Sequence, residues 1–238
     1  MDEVRLHGQP SPRILLLDNS PRRLGTAWLG QAFRAFGCRV SAYHFWKESR
    51  PVALDRFDGM VISGSPASAI EDMPWILAEL ELIEQAERRE MPVLGVCFGA
   101  QLLGRAYYGA AAVGRSSQVE LGWYPVCRTG QDDPLFAGLP EQFLSFQFHL
   151  EEVLPQPDMR ILAYSAGVEV QAFRIGAKPV WGTQFHFEVT PQAGRDFLRK
   201  TRRVYEPRGF SYKAMITRAR PTTVVPQLLR NFLQTLPR

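Results

Sequence analysis

Long apolar runs are missing from this chain of 238 residues. Nothing in it approaches the ~20 consecutive apolar residues of a membrane span, so no membrane partner is expected. Cysteine is scarce: Cys38, Cys97 and Cys127 are odd in number, far apart and without a CxxC pair. That pattern argues against a disulfide framework or a zinc site and for a reducing compartment. The opening "MDEVRLHGQPSPR" lacks the basic segment and apolar stretch of a signal peptide and reads as a short loose leader. There is no P-loop, no nucleic-acid-binding motif, no internal repeat, no low-complexity segment and no clear linker. The expectation is a soluble, cytoplasmic protein that needs no metal and no cofactor.

What the chain does have is core-forming material and an uneven charge. It is 45% hydrophobic and 22% charged, which suits a packed domain and not a disordered one. Residues 191–238 hold eleven Lys or Arg against Asp196 and Glu206, a balance of +9. With +4 for the whole, the preceding residues sum to −5. A mildly acidic body therefore carries a basic tail. The plain reading is a solvated helical face. The sharper one is a docking surface for an acidic protein, with nucleic acid as a minor alternative.

Four short apolar runs read as strands buried on both faces: "RILLLD" (13–18), "GMVISG" (59–64), "PVLGVC" (92–97) and "VWGTQF" (180–185). "RVSAYHF" (39–45) is a further strand. Helical periodicity spans Leu24 to Phe36, Trp75 to Arg89 (Ile76, Leu80 and Ile83 sharing a face) and Phe98 to Tyr107. The alternation predicts an α/β fold, a mainly parallel sheet with helices on both faces. From 118 to 175 the runs shorten ("VELGWYPV", "EQFLSFQF", "RILAYS", "VEVQAFRI") and predict mixed or antiparallel strands joined to that sheet. Helices follow at Gln192 to Tyr205 and about Thr223 to Leu236, the latter with an apolar stripe. The expected organisation is one domain over 1–190 with a basic C-terminal helical extension, 191–238, packed on it.

Gly95-Val96-Cys97-Phe98-Gly99 is G-x-C-x-G at a predicted strand-to-helix corner. In the analogous G-x-S-x-G corner, flanking glycines permit a tight strained turn that lifts the nucleophile out of the sheet. The first N–H groups of the next helix then favour negative charge on the sulfur. The N–H of Phe98 is placed to meet an oxyanion. Cys38 and Cys127 lack such surroundings and read as small core residues. A cysteine nucleophile needs a base, and the base needs an orienter. Of four histidines, His7 lies in the leader and His44 at a strand end. His149 stands in "SFQFHLEEV". His186, in "GTQFHFEVT", closes an apolar strand with Glu188 two residues on. In extended chain i and i+2 share a side, so Glu188 can hold one imidazole nitrogen while the other faces the thiol.

"GVCFGAQLLG", with "QFHFE" about ninety residues later, resembles the class I (triad) glutamine amidotransferases, especially domains like the glutaminase part of GMP synthase. "MVISGSPAS" (60–68) resembles that family's Ser-Gly-Gly-Pro loop, and the likeness covers roughly residues 13 to 190. It implies a flavodoxin-like fold and attack by Cys97 on the side-chain amide carbon of glutamine. His186 and Glu188 would complete the triad, with oxyanion donors in the N–H groups of Phe98 and Ser65. Gly64, Gln101, His149, Leu150 and Glu151 match substrate-lining positions. Four positions depart from the family pattern: Ser65 for a second glycine, Ala100 for a frequent His, Phe187 for proline and Leu150 for a frequent glycine. The implied activity is glutamine hydrolysis with ammonia passed to a separate synthetase, which could dock on the basic C-terminal region. The alternative is a stand-alone γ-glutamyl amide or peptide hydrolase using the same triad. A non-catalytic subunit that keeps the fold is the reading from another class, and the intact Cys97, His186 and Glu188 speak against it.

Overall fold

The computed structural model describes residues 11–47 and 52–237; most of the leader, with His7, lies outside the described residues, as does Arg238. Among the described residues nine strands form one sheet: β1 (Arg13–Leu17), β2 (Arg39–Tyr43), β3 (Gly59–Ile62), β4 (Val93–Val96), β5 (Val113–Arg128), β6 (Gln142–Val153), β7 (Met159–Tyr164), β8 (Ala172–Ile175) and β9 (Val180–Thr183). Their order is β2-β1-β3-β4-β9-β8-β7-β5-β6. The first five are parallel, and every pairing from β9 outward is antiparallel. The apolar runs and the alternating ones thus separate into the two halves of a single sheet, as their patterns predict.

Period-two alternation explains how the central strands bury both faces. Ile14, Leu16, Val61, Leu94 and Val96 enter one core cluster. Leu15, Leu17, Met60, Ile62 and Val93 enter the other. Helix α1 (Gln31–Ala35) covers the first face together with α6 (Val225–Gln234), whose Leu228, Leu229 and Phe232 are fully buried. Phe232 meets Phe33 and Trp181 edge-on, and Asn231 Nδ2 donates to the carbonyls of Leu135 and Ala137 at 2.9 and 2.8 Å. Helices α2 (Pro74–Glu87) and α3 (Phe98–Tyr108) cover the second face. A third cluster joins β5 and β6 to α4 (Pro191–Tyr205) and α5 (Tyr212–Thr217) through Trp123, Phe146, Leu198, Tyr205 and Met215. The basic C-terminal segment therefore contributes to two of the three cores. Among the described residues no helix is long and apolar enough to cross a membrane.

Several details differ from the periodicity. The helix expected from Leu24 is helical from that residue but passes through a π-helical turn, Thr26–Gly30, where the Asp18 carboxylate accepts from both the N–H and the hydroxyl of Thr26 at 2.6 Å. "VEVQAFRI" yields strand only from Ala172. Before it, Ser165 N–H donates to Val168 O and Val168 N–H returns to Ser165 Oγ, a local turn that competes with the ladder. Helix α5 carried no periodic signal because six residues are too short for one; Ser211 caps it by accepting from Ala214 N–H.

The buried face of α2 holds a surprise. Beside Ile76 and Ile83 it carries Glu79, which is fully buried. Asn19 Nδ2, just past β1, donates to Glu79 Oε2 at 2.9 Å. Burial lifts the Glu79 carboxyl from about 4.5 to about 8, with the Asn19 hydrogen bond pulling weakly the other way. The folded state therefore holds this proton over a range where the unfolded chain has lost it, and stability falls as pH rises through that range. Wild-type protein should lose on the order of 5 °C in Tm between pH 5.5 and 8.5 on this account. Glu79→Gln should be flatter over the same interval and more stable than wild type at pH 8.5. Parallel thermal melts check this, and equal slopes would reject a neutral buried Glu79.

Candidate active site

The site lies at the carboxyl ends of β3, β4 and β9, where open α/β sheets place their ligands. Cys97 is the single residue between β4 and α3, with φ 55° and ψ −109°. A non-glycine residue there stores strain of about 1–3 kcal/mol, which the surroundings must hold. They do so by close approach. A β-carbon on Gly95 would lie 2.4 Å from the carbonyl oxygen of Gly99, and one on Gly99 would lie 2.3 Å from that of Ile62. Only with both glycines can the first turn of α3 pack onto β3 and β4. Cys97 N–H donates to Thr183 O at 2.7 Å, which ties the corner to the last residue of β9. The thiol is nearly buried and its Sγ lies 3.9 Å from Phe148 O.

From Thr183 the chain runs through Gln184 and Phe185 to His186, whose N–H donates to Phe146 O at 2.8 Å. His186 Nδ1 meets Glu188 Oε1 at 2.8 Å. Extended geometry is not what aligns them: β9 ends at Thr183, and residues 187–188 form a turn. Phe187, fully buried in the core, fixes that turn by packing, where a proline would fix it by φ. The Phe146 ring lies edge-on to the imidazole. Burial works against charge on His186. The charge of Glu188, the charge of Cys97 and hydrogen bonds to both outweigh it and raise the imidazole to about 10. The balance of these causes favours the protonated imidazole.

The "SGSP" loop closes the third side. A β-carbon on Gly64 would lie 3.0 Å from His186 Cε1 and 3.6 Å from Cys97 Cβ, so Gly64 faces the gap between thiol and imidazole. Among the described residues the non-glycine positions with positive φ are Arg23, Glu90 and Cys97. Ser65 thus takes an ordinary backbone conformation that does not call for glycine. Its Oγ accepts from Ala67 N–H at 3.2 Å. Phe98, the first residue of α3, is fully buried and stacks near Trp75.

The remaining candidates divide. Gln101 is buried on α3 one turn beyond Cys97, and its Nε2 donates to Glu151 O at 2.7 Å and Gln184 Oε1 at 3.2 Å. The Glu151 carboxylate accepts from Ser68 Oγ at 2.7 Å, linking β6 to the "SGSPAS" loop. Leu150 is half exposed at this rim. The His149 side chain turns into the scaffold, with Nε2 3.4 Å from Glu120 Oε2 in a buried cluster that also contains Gln171 and Ser165. Only the backbone at 149 can face a ligand. Gln184 and Ser68 gave no sequence signal, since their roles come from strand neighbours. His44 is buried, its Nδ1 3.0 Å from Asp18 O.

The chain matches the family described as glutamine amidotransferase class-I over residues 25–202, and it belongs to that family. It is 31% identical over 189 residues to a subunit of the glutamine-hydrolyzing GMP synthase of Thermoplasma volcanium, covering 79% of this chain and 89% of that one. It is 33% identical over 126 residues to "Gamma-glutamyl peptidase 4" of Arabidopsis thaliana, 51% of this chain and 50% of that one. The structure of a glutamine amidotransferase from Thermotoga maritima superposes with a TM-score of 0.79 at 25% identity, covering 95% of this chain and 98% of that one.

The electrostatics of the His186 pocket are directly measurable. In wild-type protein the His186 ring should titrate near 10 in a proton NMR series. Glu188→Gln removes the carboxylate charge that stabilises the imidazolium and should lower that midpoint by at least about one unit. A midpoint unchanged in the variant would remove Glu188 as the cause.

Proposed function

We propose that this class I glutamine amidotransferase hydrolyses the side-chain amide of glutamine through a γ-glutamyl thioester on Cys97. The observation that carries the reading is convergence. A strained Cys97 at a helix N-terminus, His186 bonded to Glu188, and Gly64 facing both come from three different strand ends. With the proton on His186, Cys97 Sγ attacks the amide carbon as a thiolate. The N–H groups of Phe98 and Ser65 receive the developing oxyanion. His186 gives its proton to the departing nitrogen, the C–N bond breaks and ammonia leaves. The now neutral imidazole takes a proton from water, and the resulting hydroxide adds to the thioester carbon. Collapse releases glutamate and restores the sulfur. Glu188 keeps the imidazole in one orientation throughout.

Gln101 is the residue for the amino-acid end of the substrate. With both hydrogens of Nε2 given to Glu151 O and Gln184 Oε1, its Oε1 is left to accept from the substrate ammonium. Gly64, the backbone at His149 and Leu150, and Glu151 form the adjoining walls. Ammonia would pass to a separate synthetase, in keeping with relatives named as subunits. The basic face of α4 is the candidate docking surface. Arg199 and Arg202 already pair with Asp196 and Glu206, which leaves Lys200 and Arg203 as the charges most open to a partner. A second reading, cleavage of γ-glutamyl peptides without an acceptor, is supported by the likeness to the plant γ-glutamyl peptidase and by the half-exposed Leu150 at the rim.

Glutamate release from glutamine and from γ-glutamyl dipeptides, measured in parallel, tests both. Cys97→Ala should lose on the order of 10³-fold or more in kcat, and His186→Gln a comparable amount. Preferred turnover of the dipeptides would favour the second reading, and turnover that survives Cys97→Ala would reject both. Replacing Arg199, Lys200, Arg202 and Arg203 with Glu should abolish binding to the partner synthetase while glutamine hydrolysis persists. Undiminished binding would exclude α4 as the docking surface.

A further inference from the structure

Behind the Gly64–Ser65 peptide runs a buried polar chain that the hydrolytic steps above leave unused. Ser63 follows β3 and is buried, its N–H continuing the ladder to Leu17 O at 2.9 Å. Its hydroxyl accepts from Asn19 N–H at 2.9 Å. The one proton of that hydroxyl is given to Gly64 O at 3.1 Å. Asn19 is held in turn by Glu79 on α2, through the amide-to-carboxyl hydrogen bond. Three elements, β1, β3 and α2, therefore converge on one carbonyl oxygen.

That oxygen belongs to the peptide whose other end is Ser65 N–H. A trans peptide is planar, with C=O and N–H pointing in opposite directions, so fixing one fixes the other. The sheet order gives the sense. β3 lies between β1 and β4. Asn19, which binds the Ser63 hydroxyl, follows β1; Cys97 follows β4. Gly64 O is committed to the β1 flank, and Ser65 N–H consequently points to the flank that holds the thiol. Rotating this peptide by half a turn would strip Gly64 O of its donor. It would also carry Ser65 φ to positive values, which a β-carbon resists and a glycine would not.

We propose that Ser63, backed by Asn19 and Glu79, is a positioning residue that locks the Gly64–Ser65 peptide with its N–H toward Cys97, and that Ser65 reinforces the lock, so the oxyanion site is formed before any substrate or partner binds. This rests on the reading of Ser65 N–H as an oxyanion donor. Ser63 touches no reacting atom and acts only through the peptide.

The test combines turnover of glutamine (or of the preferred γ-glutamyl dipeptide) with alkylation of Cys97 by iodoacetamide, a displacement that needs no oxyanion donor. Ser63→Ala should lower kcat by about 10- to 100-fold, less than the roughly 10²- to 10³-fold cost of removing an oxyanion donor because the N–H is loosened and not deleted. KM and the alkylation rate should stay within about twofold of wild type. Ser63→Thr, which keeps the hydroxyl, should recover most of kcat, and melting curves of both variants verify that they fold. Unchanged kcat in Ser63→Ala overturns the proposal and leaves the hydrolytic reading standing. So does an alkylation rate that falls as far as kcat, because the nucleophile itself would then be disturbed. Wild-type protein no more active than Cys97→Ala on either substrate overturns the hydrolytic reading, and the proposal with it.

Discussion

The contact on which this molecule turns is the one between the first turn of α3 and the end of β3. The α-carbon of Gly99 packs so closely on the carbonyl of Ile62 that no side chain fits between them, and the oxygen of Gly99 sits as tightly against Gly95. This closeness forces the chain to reverse within a single residue. That residue is Cys97, which must take a left-handed φ. The strain is local, but what holds it is not. Cys97 N–H is bound by the last residue of β9, so the same corner that raises the thiol also fixes where the strand leading to His186 ends.

The other half of the site is held mainly by apolar packing. Phe187 sinks into the core between His186 and Glu188 and makes their turn rigid. Phe146 gives its carbonyl to His186 N–H and lays its ring against the imidazole. Phe146 is itself braced by Phe197 of α4 and by Trp123, against which Gly194 packs. The segment that reads as a basic tail is thus part of what keeps the imidazole in place. Its cations line one face while Leu198 and Tyr205 enter the core from the other. Apolar walls also explain the electrostatics: a carboxylate and a sulfur next to an imidazole count for more where water is excluded.

Polar groups away from the reacting atoms follow the same logic of compensation. Asp18 is fully buried and spends its oxygens on Ser20 and Thr26, closing the β1 end and starting the first helix. Glu120 binds Ser165 and Gln171 beneath β6. Ser63, Asn19 and Glu79 join the ends of β1 and β3 to α2. Asp18 and Glu120 are tolerated because both oxygens of each are hydrogen-bonded, whereas Glu79 has a partner on one oxygen only and keeps its proton as burial raises its carboxyl. In the last case the hydrogen bonds end on the loop that faces the thiol.

Local rules made much of this legible in the sequence. Alternation at 13–18, 59–64, 92–97 and 180–185 fixes which side chains can face each layer, and continuous apolarity requires both faces to be covered. G-x-C-x-G announces a corner because only glycine tolerates backbone contact on both sides of a strained residue. H-x-E brings an acid to its imidazole whether the chain is extended or, as here, turned. What lay beyond the sequence is what distant residues do together. The Asn19–Ser63 and Asn19–Glu79 hydrogen bonds join positions 44 and 60 apart, and nothing in "LDNS" or "ELEL" hints at them. The His149 side chain turns to Glu120 because of the β5–β6 register. Six residues of α5 are helical only because the body offers a surface to pack on. Periodicity and sterics act between neighbours along the chain and can be read there. The orientation of one peptide is set by strand order and long-range hydrogen bonds, which exist only once the sheet has formed.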